Sequence, residues 1–381
     1  MAVYVGGDKC SVIYVARNGQ QVRVSSVWVG DKQVFPDVFI LRVGVSSGSA
    51  YTPLREWAVS IGKTYQTITT ITVPMEVIGP SLYNLFYNCS ALTTIPALNT
   101  GQVTNMYYMF YGCRALTSVP ALDTGQVTIM SSMFRGCSSL TTIPELNASQ
   151  VTTMSSMFSG CSALTTVPAM NTGNVTSMGD MFSGCWKLTS VPELNTSNVT
   201  TMSSMFYNCY ALTSVPAMDT GKVTNMYSMF NSCSVLKTIP ALDTSQVTTT
   251  SYMFYNCYAL TSVPAMDTGK VTNMASMFSG CSKLTSVPEL NTSKVTSPVS
   301  MFYGCSSLES VTLHGMGTGF TTNRTLDMKS TKLSTAAANA LMQSLGTVPA
   351  AATGSTLALP ATSAGADTSI AAAKNWQITI G

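Results

Sequence analysis

The fold is decided by residues 104–127, which read TNMYYMFYGCRALTSVPALDTGQV. Close copies of this stretch follow one another with a period of 24 residues, marked by ten cysteines from Cys89 to Cys305. Each of these cysteines has Phe three residues before it and Leu three residues after it. A fixed period in this range is the signature of a solenoid, in which each repeat buries its apolar face only against its neighbours. The pattern therefore favours a recognition surface over a catalytic pocket.

The first half of each repeat has the apolar spacing of a helix. Met106, Met109, Phe110 and Cys113 fall at i, i+3, i+4 and i+7, which predicts two helical turns with one buried face. Thr104 precedes the pattern, as Thr does in the following repeats, and is the predicted N-cap. The residue before each cysteine is Gly, Asn or Ser, and we expect a left-handed helix C-cap there.

The second half of each repeat predicts a short strand and a turn. Residues 116–122 have inward-pointing apolar side chains, and the recurring Pro120 ends the strand because proline cannot donate to a sheet ladder. Asp123, or Asn at the same place in other repeats, begins a turn. Thr250 replaces a core Met in one repeat, where we expect it to weaken the core locally. The predicted fold class is a leucine-rich-repeat-like solenoid with one short strand and one short helix in each coil.

Composition excludes several kinds of function. Charged residues make up 9% of the chain, against about 25% in typical proteins, and the net charge is +3 without a basic cluster, so nucleic acid is not an expected partner. The only histidine is His314 and no Cys-x-x-Cys occurs, which excludes a repeated Cys/His metal site. Gly62-Lys63-Thr64 is not a phosphate loop, since Trp57 stands where the motif requires glycine. We expect no catalytic residues, no metal and no cofactor.

The periodic cysteines and the distribution of apolar residues bear on the core of the protein and on its export. We interpret the periodic cysteines as small buried hydrophobes, and the alternative is a partly oxidised ladder between adjacent coils. The sequence has no run of 18 apolar residues and no recognisable signal peptide at its start. These features predict no membrane insertion and synthesis without standard export.

Two flanks enclose the array, which gives three predicted domains: 1–80, 81–312 and 313–381. The first flank reads as short strands, with a hairpin signal at Asn18-Gly19 and a last strand at 67–73. The second reads as a helix over 334–345 with Ser334 as N-cap, a strand from Thr356, a helix over 367–374 and a closing strand. We interpret 1–80 as a small β domain and 313–381 as an α/β cap over the last coil.

The near-copies differ most at positions that flank the buried ones, where Tyr, Trp and Arg are frequent. Such residues anchor interfaces and stack on sugars or peptides. The alternative is drift at unconstrained positions, with tyrosine covering a Met-rich core. The candidate binding residues are Tyr107, Tyr108, Tyr111, Arg114, Arg135, Trp186, Tyr207, Tyr210, Tyr227, Tyr252, Tyr255, Tyr258 and Tyr303.

The repeat pattern Val-Thr-x-Met-x-x-Met-Phe-x-Gly-Cys-x-x-Leu-Thr-x-Val-Pro resembles the BspA-like leucine-rich-repeat proteins, which are bacterial surface proteins that also occur in phage-encoded forms. The resemblance covers the array, although the stretch between Leu and Asn/Asp is shorter than in the common form. It implies a leucine-rich-repeat-like solenoid and an adhesion or protein-binding role. The phrases Tyr-Val-Gly and Trp-Val-Gly-Asp-Lys near the start resemble N-terminal modules of phage tail and head-fibre proteins.

The resemblance leads to one expected function and one alternative. We expect a non-enzymatic bacteriophage virion component, a head or tail fibre or decoration protein, that is assembled in the host cytoplasm. It would contact virion proteins through residues 1–80 and a bacterial surface protein or glycan through the solenoid, and homo-oligomers are possible. The alternative is a bacterial cell-surface adhesin or protein-interaction protein of the same family.

Overall fold

The structure is a computed structural model, and it describes residues 41–46 and 49–381 with their side chains, together with the backbone of six strands between residues 3 and 33. The chain forms two compact units, Met1–Val151 and Thr152–Gly381, and each is described by itself. The division into domains 1–80, 81–312 and 313–381 stays a prediction.

The start of the first unit consists of antiparallel strand pairs, as the sequence predicted. The pairs are β1 (Val3–Val5) with β2 (Asp8–Cys10), β3 (Val12–Arg17) with β4 (Gln20–Ser25), and β5 (Trp28–Val29) with β6 (Lys32–Gln33). Arg17 lies opposite Gln20, so β3 and β4 are in the register of a hairpin. The predicted turn residues Asn18 and Gly19 themselves lie outside the described residues.

The predicted strand at 67–73 is wrong. Strand β7 (Leu41–Val43) pairs in parallel with β8 (Met75–Val77), and helix α1 (Tyr51–Ser60), which the sequence analysis did not predict, lies between them in the chain. Thr67 instead closes a turn, because its hydroxyl accepts from the amide of Thr64 at 3.1 Å and its own amide donates to the Thr64 carbonyl at 3.0 Å. Such local side-chain bonds compete with strand pairing.

The predicted helix of each coil is also wrong, because the apolar positions are held by consecutive tight turns. Tyr108 has φ +56° and Gly112 has φ +72°, and each is followed by a residue whose amide closes a four-residue β-turn. In these turns Met109 donates to Met106 and Cys113 donates to Phe110, both at 3.1 Å. A left-handed residue in the middle of the segment stops an α-helix. The left-handed conformation predicted before each cysteine is confirmed, but as a turn position.

The remaining amides of this segment bind the next coil. Met106 donates to Ile129 at 3.0 Å, and Phe110 donates to Met133 at 2.8 Å. In an α-helix, every interior amide would donate to a carbonyl of the same helix. Here the amides alternate along the segment, so that one closes a turn and the next donates to the neighbouring coil. The same alternation recurs in the second unit, where Phe206 donates to Met229 at 2.9 Å. The backbone therefore ties each coil to its neighbour.

The predicted threonine N-caps do not exist, since there is no helix to cap. The threonines instead form a ladder between coils: Thr200 donates from its amide to the Thr176 carbonyl at 2.9 Å, and its hydroxyl donates to the same oxygen at 3.2 Å. The predicted Asp/Asn turn is confirmed, because Asp123 Oδ1 accepts from the amide of Gly125 at 3.0 Å. Polar side chains therefore form hydrogen bonds with backbone groups at both bends of the coil.

The strand predicted to end at the recurring proline does not form in the described coils, where the position holds one isolated bridge, between Ser286 and Ser310. A two-residue strand pair lies just after Pro288 instead. There, β9 (Leu290–Asn291) pairs in parallel with β10 (Leu313–His314). Other described coils are joined by single-residue parallel bridges at a different position, such as Asn105 with Ile129 and Thr201 with Asn225. The recurring proline removes an amide from the predicted strand, which limits its ladder.

The core of each unit is a set of stacked identical side chains. Phe110 and Phe134 stack with ring centroids 5.3 Å apart in the first unit, and Phe206 and Phe230 are 5.6 Å apart in the second. The ten periodic cysteines are buried free thiols, which confirms their interpretation as small core residues. Thr250 is fully buried and its hydroxyl has a weak acceptor in Met277 Sδ at 3.2 Å. The repeat solenoid is confirmed, with turns in place of the predicted helix.

The end of the second unit has the predicted α/β character. Its strands are β11 (Thr325–Asp327), β12 (Thr356–Leu359) and β13 (Gln377–Ile380), and its helices are α2 (Thr335–Ser344) and α3 (Ser369–Ala372). Two 3-10 turns lie on either side of β12 in the chain, at Ala350–Ala352 and Ala361–Ser363. The strands form one parallel sheet in the order β11-β12-β13. Ser334 caps α2 as predicted, because its hydroxyl accepts from Ala337 at 3.2 Å. Ser330 Oγ accepts the Gly304 amide at 2.8 Å, which replaces the carbonyl that a further coil would offer.

Candidate functional site

The candidate residues occupy the outer side of the turn segment. In the repeat of residues 104–127, Met106, Met109, Phe110 and Cys113 are fully buried, so the intervening positions face outward. Tyr107, Tyr108, Tyr111 and Tyr255 are half-buried, whereas the other nine candidates are exposed: Arg114, Arg135, Trp186, Tyr207, Tyr210, Tyr227, Tyr252, Tyr258 and Tyr303. The predicted outward orientation therefore holds for the whole set, and its role in binding stays a prediction.

The tyrosines of the first unit pack on one another. This stacked cluster consists of Tyr83, Tyr87, Tyr107, Tyr108 and Tyr111. The rings of Tyr107 and Tyr108 have centroids 3.9 Å apart, and Tyr87 and Tyr111 stack at 4.9 Å. A hydrogen bond to Tyr108, together with burial, raises the pKa of Tyr107 to about 12. Arg135 lies over the Tyr111 ring at 5.9 Å, so the ring faces are largely used within the protein.

The tyrosines of the second unit instead surround an open cavity. This tyrosine groove has a volume of about 670 Å³, within the ~300–1,000 Å³ range of small-molecule sites. Its aromatic lining is Tyr207, Tyr227, Tyr252 and Tyr255. Tyr252 makes edge contacts with Tyr227 at 5.8 Å and with Tyr255 at 5.6 Å between centroids. All four residues belong to the candidate binding set, and the structure brings them together.

Polar residues that the sequence analysis missed complete the lining of the groove. They are Asp180, Ser183, Ser204, Ser228, Asn231, Ser232 and Asn256. Asn231 occupies the same repeat position as Tyr207 and Tyr255, one coil from each. Its side chain is shorter than theirs, and the residue is only 7% exposed. The signal in the sequence was therefore a short side chain, Asn231, between two tyrosines at the same repeat position. It was visible, but only the stacked coils show that a short side chain there leaves a cavity.

The groove and the stacked cluster each contain one tyrosine with an unusual backbone conformation. Tyr252 has φ +58°, at a coil position that holds Ser in most repeats, and an aromatic residue in the left-handed region is unusual. The position itself is left-handed throughout the array, since Ser204, Ser228 and Ser276 have φ of +53°, +53° and +54°. Tyr108 has φ +56° at the equivalent position of the stacked cluster. The two tyrosine groups are therefore each built around one left-handed tyrosine.

The remaining exposed candidates do not line the groove. Trp186 and Tyr210 lie side by side with centroids 6.4 Å apart, on the row that follows each cysteine, and Tyr258 belongs to the same row. Tyr303 is 63% exposed and shares its repeat position with Tyr207 and Tyr255. Arg114 belongs to the first unit. Each of these residues is therefore exposed alone or as one of a pair, outside the groove.

The described residues offer little for catalysis or metal binding. Burial raises the pKa of Cys185 and Cys257 to about 12, so these thiols stay protonated and poorly nucleophilic. Within residues 41–46 and 49–381, no three His, Cys, Asp or Glu side chains come close enough to hold a metal ion. His314 Nε2 lies 3.0 Å from Glu289 Oε1 at the exposed surface. Across the same part of the chain, none of the helices has the length and hydropathy of a membrane span.

The chain is similar to several solved structures, two of which are described as leucine-rich-repeat proteins. A leucine-rich-repeat protein of Treponema pallidum is 20% identical, with 44% of this chain and 76% of that chain covered and a TM-score of 0.35. One from Eubacterium ventriosum is 18% identical, with 74% and 90% covered and a TM-score of 0.39. An internalin of Listeria monocytogenes is 15% identical, with 80% and 86% covered and a TM-score of 0.27. No curated protein matches the sequence.

One family model matches the array repeatedly. Its description is "Mycoplasma protein of unknown function, DUF285", and the matched residues are 80–190, 139–240, 183–283 and 231–342. Together these matches span more than half of the chain, and they agree with the resemblance to BspA-like leucine-rich-repeat proteins. The chain therefore belongs to the DUF285 family of repeat proteins, with a leucine-rich-repeat-like solenoid as its fold.

Proposed function

We propose that this protein is a binding protein without catalytic activity, and that its tyrosine groove contacts a component of a bacterial surface. One observation carries the proposal: four outward tyrosines from adjacent coils enclose a cavity of about 670 Å³ in the second unit. Tyrosine supplies a large contact area for little loss of conformational entropy, so it is frequent in binding sites.

Binding of the purified full-length protein to bacterial cells tests this proposal. We expect a fluorescently labelled wild-type chain to bind susceptible cells, and the Tyr207→Ser/Tyr255→Ser variant to bind roughly tenfold more weakly, since two aromatic contacts are lost. Tyr303→Ser is the matched control, because it removes an exposed tyrosine from the same row without touching the groove. Equal binding by all three proteins would contradict the proposal.

We further propose that the protein is a component of a bacteriophage virion, with residues 1–80 attaching it to the particle. The support is the resemblance of the Tyr-Val-Gly and Trp-Val-Gly-Asp-Lys phrases to phage fibre modules. Mass spectrometry of gradient-purified particles should detect the protein, and a virion strain that lacks residues 1–80 should lose it. Retention of the shortened protein on imaged virions would exclude this docking role.

The second candidate function is a bacterial surface adhesin. It is favoured by the family description, which concerns a cellular organism, Mycoplasma. Under this proposal the protein would be found on the surface of the producing cell, so labelled antibody would stain intact cells, and purified particles would lack the protein. Genes for capsid or tail proteins beside the coding sequence would favour the virion instead.

A further inference from the structure

The tyrosine groove has the dimensions of a slot between two aromatic walls. Tyr207 and Tyr255 share one repeat position and are two coils apart, with Asn231 between them. In the same three coils, Phe206 and Phe230 stack at 5.6 Å and Phe230 and Phe254 at 5.7 Å, so two coils span roughly 11 Å. Optimal carbon contacts lie at ~3.5–4.0 Å. A flat ring between two walls takes up about 7–8 Å at this contact distance. The gap above the buried Asn231 therefore admits one ring, and the exposed Tyr207 side chain has to lean toward that ring for both walls to contact it.

The floor of the slot consists of groups that both donate and accept hydrogen bonds. Asn231 Oδ1 accepts from Ser232 Oγ at 2.8 Å, and Asn231 Nδ2 lies 3.5 Å from Ser228 Oγ. A side-chain amide has two donors and two lone pairs, so these two contacts leave further capacity. Ser183, Ser204 and Asn256 also line the cavity. Hydroxyl-bearing ligands, which donate and accept equally, match such a floor.

The charge of the lining excludes several ligand classes. Asp180 is its one carboxylate, and the residues that line the groove include no Lys, Arg or His. Phosphate, sulfate and carboxylate groups are recognised by cations and forked arginines, which the groove lacks. Nucleic acid is excluded for the same reason. The ligand that fits is therefore not an anion.

A peptide is a poorer match than a sugar. Protein interfaces depend on an apolar anchor in a desolvated apolar pocket. The apolar surface of the groove is confined to its four tyrosine rings, and every other lining residue is Asp, Ser or Asn. A pyranose presents C–H faces for the rings and hydroxyl groups around its edge for the floor. The tyrosine rings and the polar floor of the groove would then both contact the sugar.

Resting on the proposed function of cell-surface recognition, we propose that the tyrosine groove binds a neutral pyranose of a bacterial glycan. Tyr207 and Tyr255 stack on its two faces, and Asn231 and Ser228 bind its hydroxyl groups. The stacked cluster of the first unit does not share this role, because Tyr107 and Tyr108 stack on each other at 3.9 Å.

Saturation-transfer NMR on the full-length protein tests the ligand class. The probes are glucose, galactose, mannose, rhamnose and N-acetylglucosamine, with glucose 6-phosphate and N-acetylneuraminic acid as charged comparisons. We expect transfer to at least one neutral sugar, and an affinity at least tenfold lower in Tyr207→Ser/Tyr255→Ser. Tyr303→Ser should retain wild-type affinity. Transfer only to the charged sugars, or to no sugar, would overturn the proposal.

A variant that fills the slot separates this inference from the proposed function. Asn231→Tyr completes the tyrosine row and keeps the aromatic surface, but it removes the gap between Tyr207 and Tyr255. We expect it to lose sugar and cell binding while circular dichroism and the unfolding midpoint stay close to wild type. If Asn231→Tyr still binds cells while Tyr207→Ser/Tyr255→Ser does not, the surface recognises a protein and the glycan inference fails alone. If neither variant affects cell binding, the proposed function fails as well.

Discussion

The thiol of Cys209 donates a hydrogen bond to the carbonyl oxygen of Phe182, which belongs to the preceding coil, with 3.1 Å between Sγ and O. The same contact links Cys185 with Phe158 and Cys233 with Phe206. Each carbonyl also accepts the amide that closes its own turn, as Phe182 does from Cys185 at 3.0 Å. The periodic cysteines are therefore core residues that also bridge coils through a weak donor.

Buried thiols make the stability of the protein dependent on alkaline pH. Burial raises the pKa of Cys185 from 9.0 to about 12 in the folded protein, so an unfolded chain loses this proton first. The native state then holds more protons, and the free energy of unfolding falls as the pH rises from about 9 toward 12. We expect each such thiol to contribute about 1.4 kcal/mol per pH unit in this window.

Urea unfolding at pH 8, 9, 10 and 11 measures this effect. Cys185→Ala should be less stable than wild type at pH 8, because it leaves a small cavity, but its stability should decline less steeply above pH 9. The readout is the difference between the two slopes, since tyrosines and lysines that ionise in the same range are common to both proteins. Identical slopes would show that the Cys185 thiol does not ionise preferentially on unfolding.

Where glycine occupies the left-handed turn position before a cysteine, its replacement by alanine should lower stability. Gly184 has φ +73°, and a Cβ atom there would meet only ordinary contacts at 3.5 Å or more. Gly184→Ala should therefore lower the free energy of unfolding by about 1–2 kcal/mol through backbone strain alone. Gly173→Ala is the control, because Gly173 is not left-handed and its Cβ would have contacts at 3.4 Å. The control should change stability by less than about 1 kcal/mol.

Thr250 is the polar interruption of the methionine row. It is fully buried, and its hydroxyl donates to a thioether, Met277 Sδ, which is a weak acceptor. Thr250→Val keeps the shape and removes the desolvated hydroxyl, so the free energy of unfolding should rise by about 1 kcal/mol. Denaturant titration with an unchanged m-value is the measurement. A loss of stability would show that the hydroxyl–sulfur contact outweighs the cost of burying the hydroxyl.

Ser330 supplies a substitute for the coil that would follow the last turn segment. Its Oγ accepts from the Gly304 amide at 2.8 Å and donates to the Phe302 carbonyl at 3.4 Å. Ser330→Ala should destabilise the protein by about 1–2 kcal/mol and leave the Gly304 amide without its partner. Hydrogen exchange should therefore accelerate at Gly304 more than at Gly280, whose amide donates to the Tyr303 carbonyl. Equal protection at both amides would contradict this role.

The sequence by itself determined the solenoid, its period and the composition of its core. Phe110 and Cys113 recur at fixed spacing, and stacking equivalent residues is the way in which such repeats bury apolar surface. The buried free thiols, the Asp123 turn and the Ser334 cap follow from the same local chemistry. The tyrosines that face outward were also predictable, since they alternate with buried positions.

Only the tertiary structure decided the conformation of the coil and the existence of the groove. The spacing of Met106, Met109, Phe110 and Cys113 fits both a helix and two tight turns, because both place these side chains on one side. The turns form because the amides of Met106 and Phe110 find carbonyl partners on the next coil, which a single repeat cannot offer. The groove likewise exists only after stacking, because Asn231 becomes a gap when Tyr207 and Tyr255 stand on either side of it.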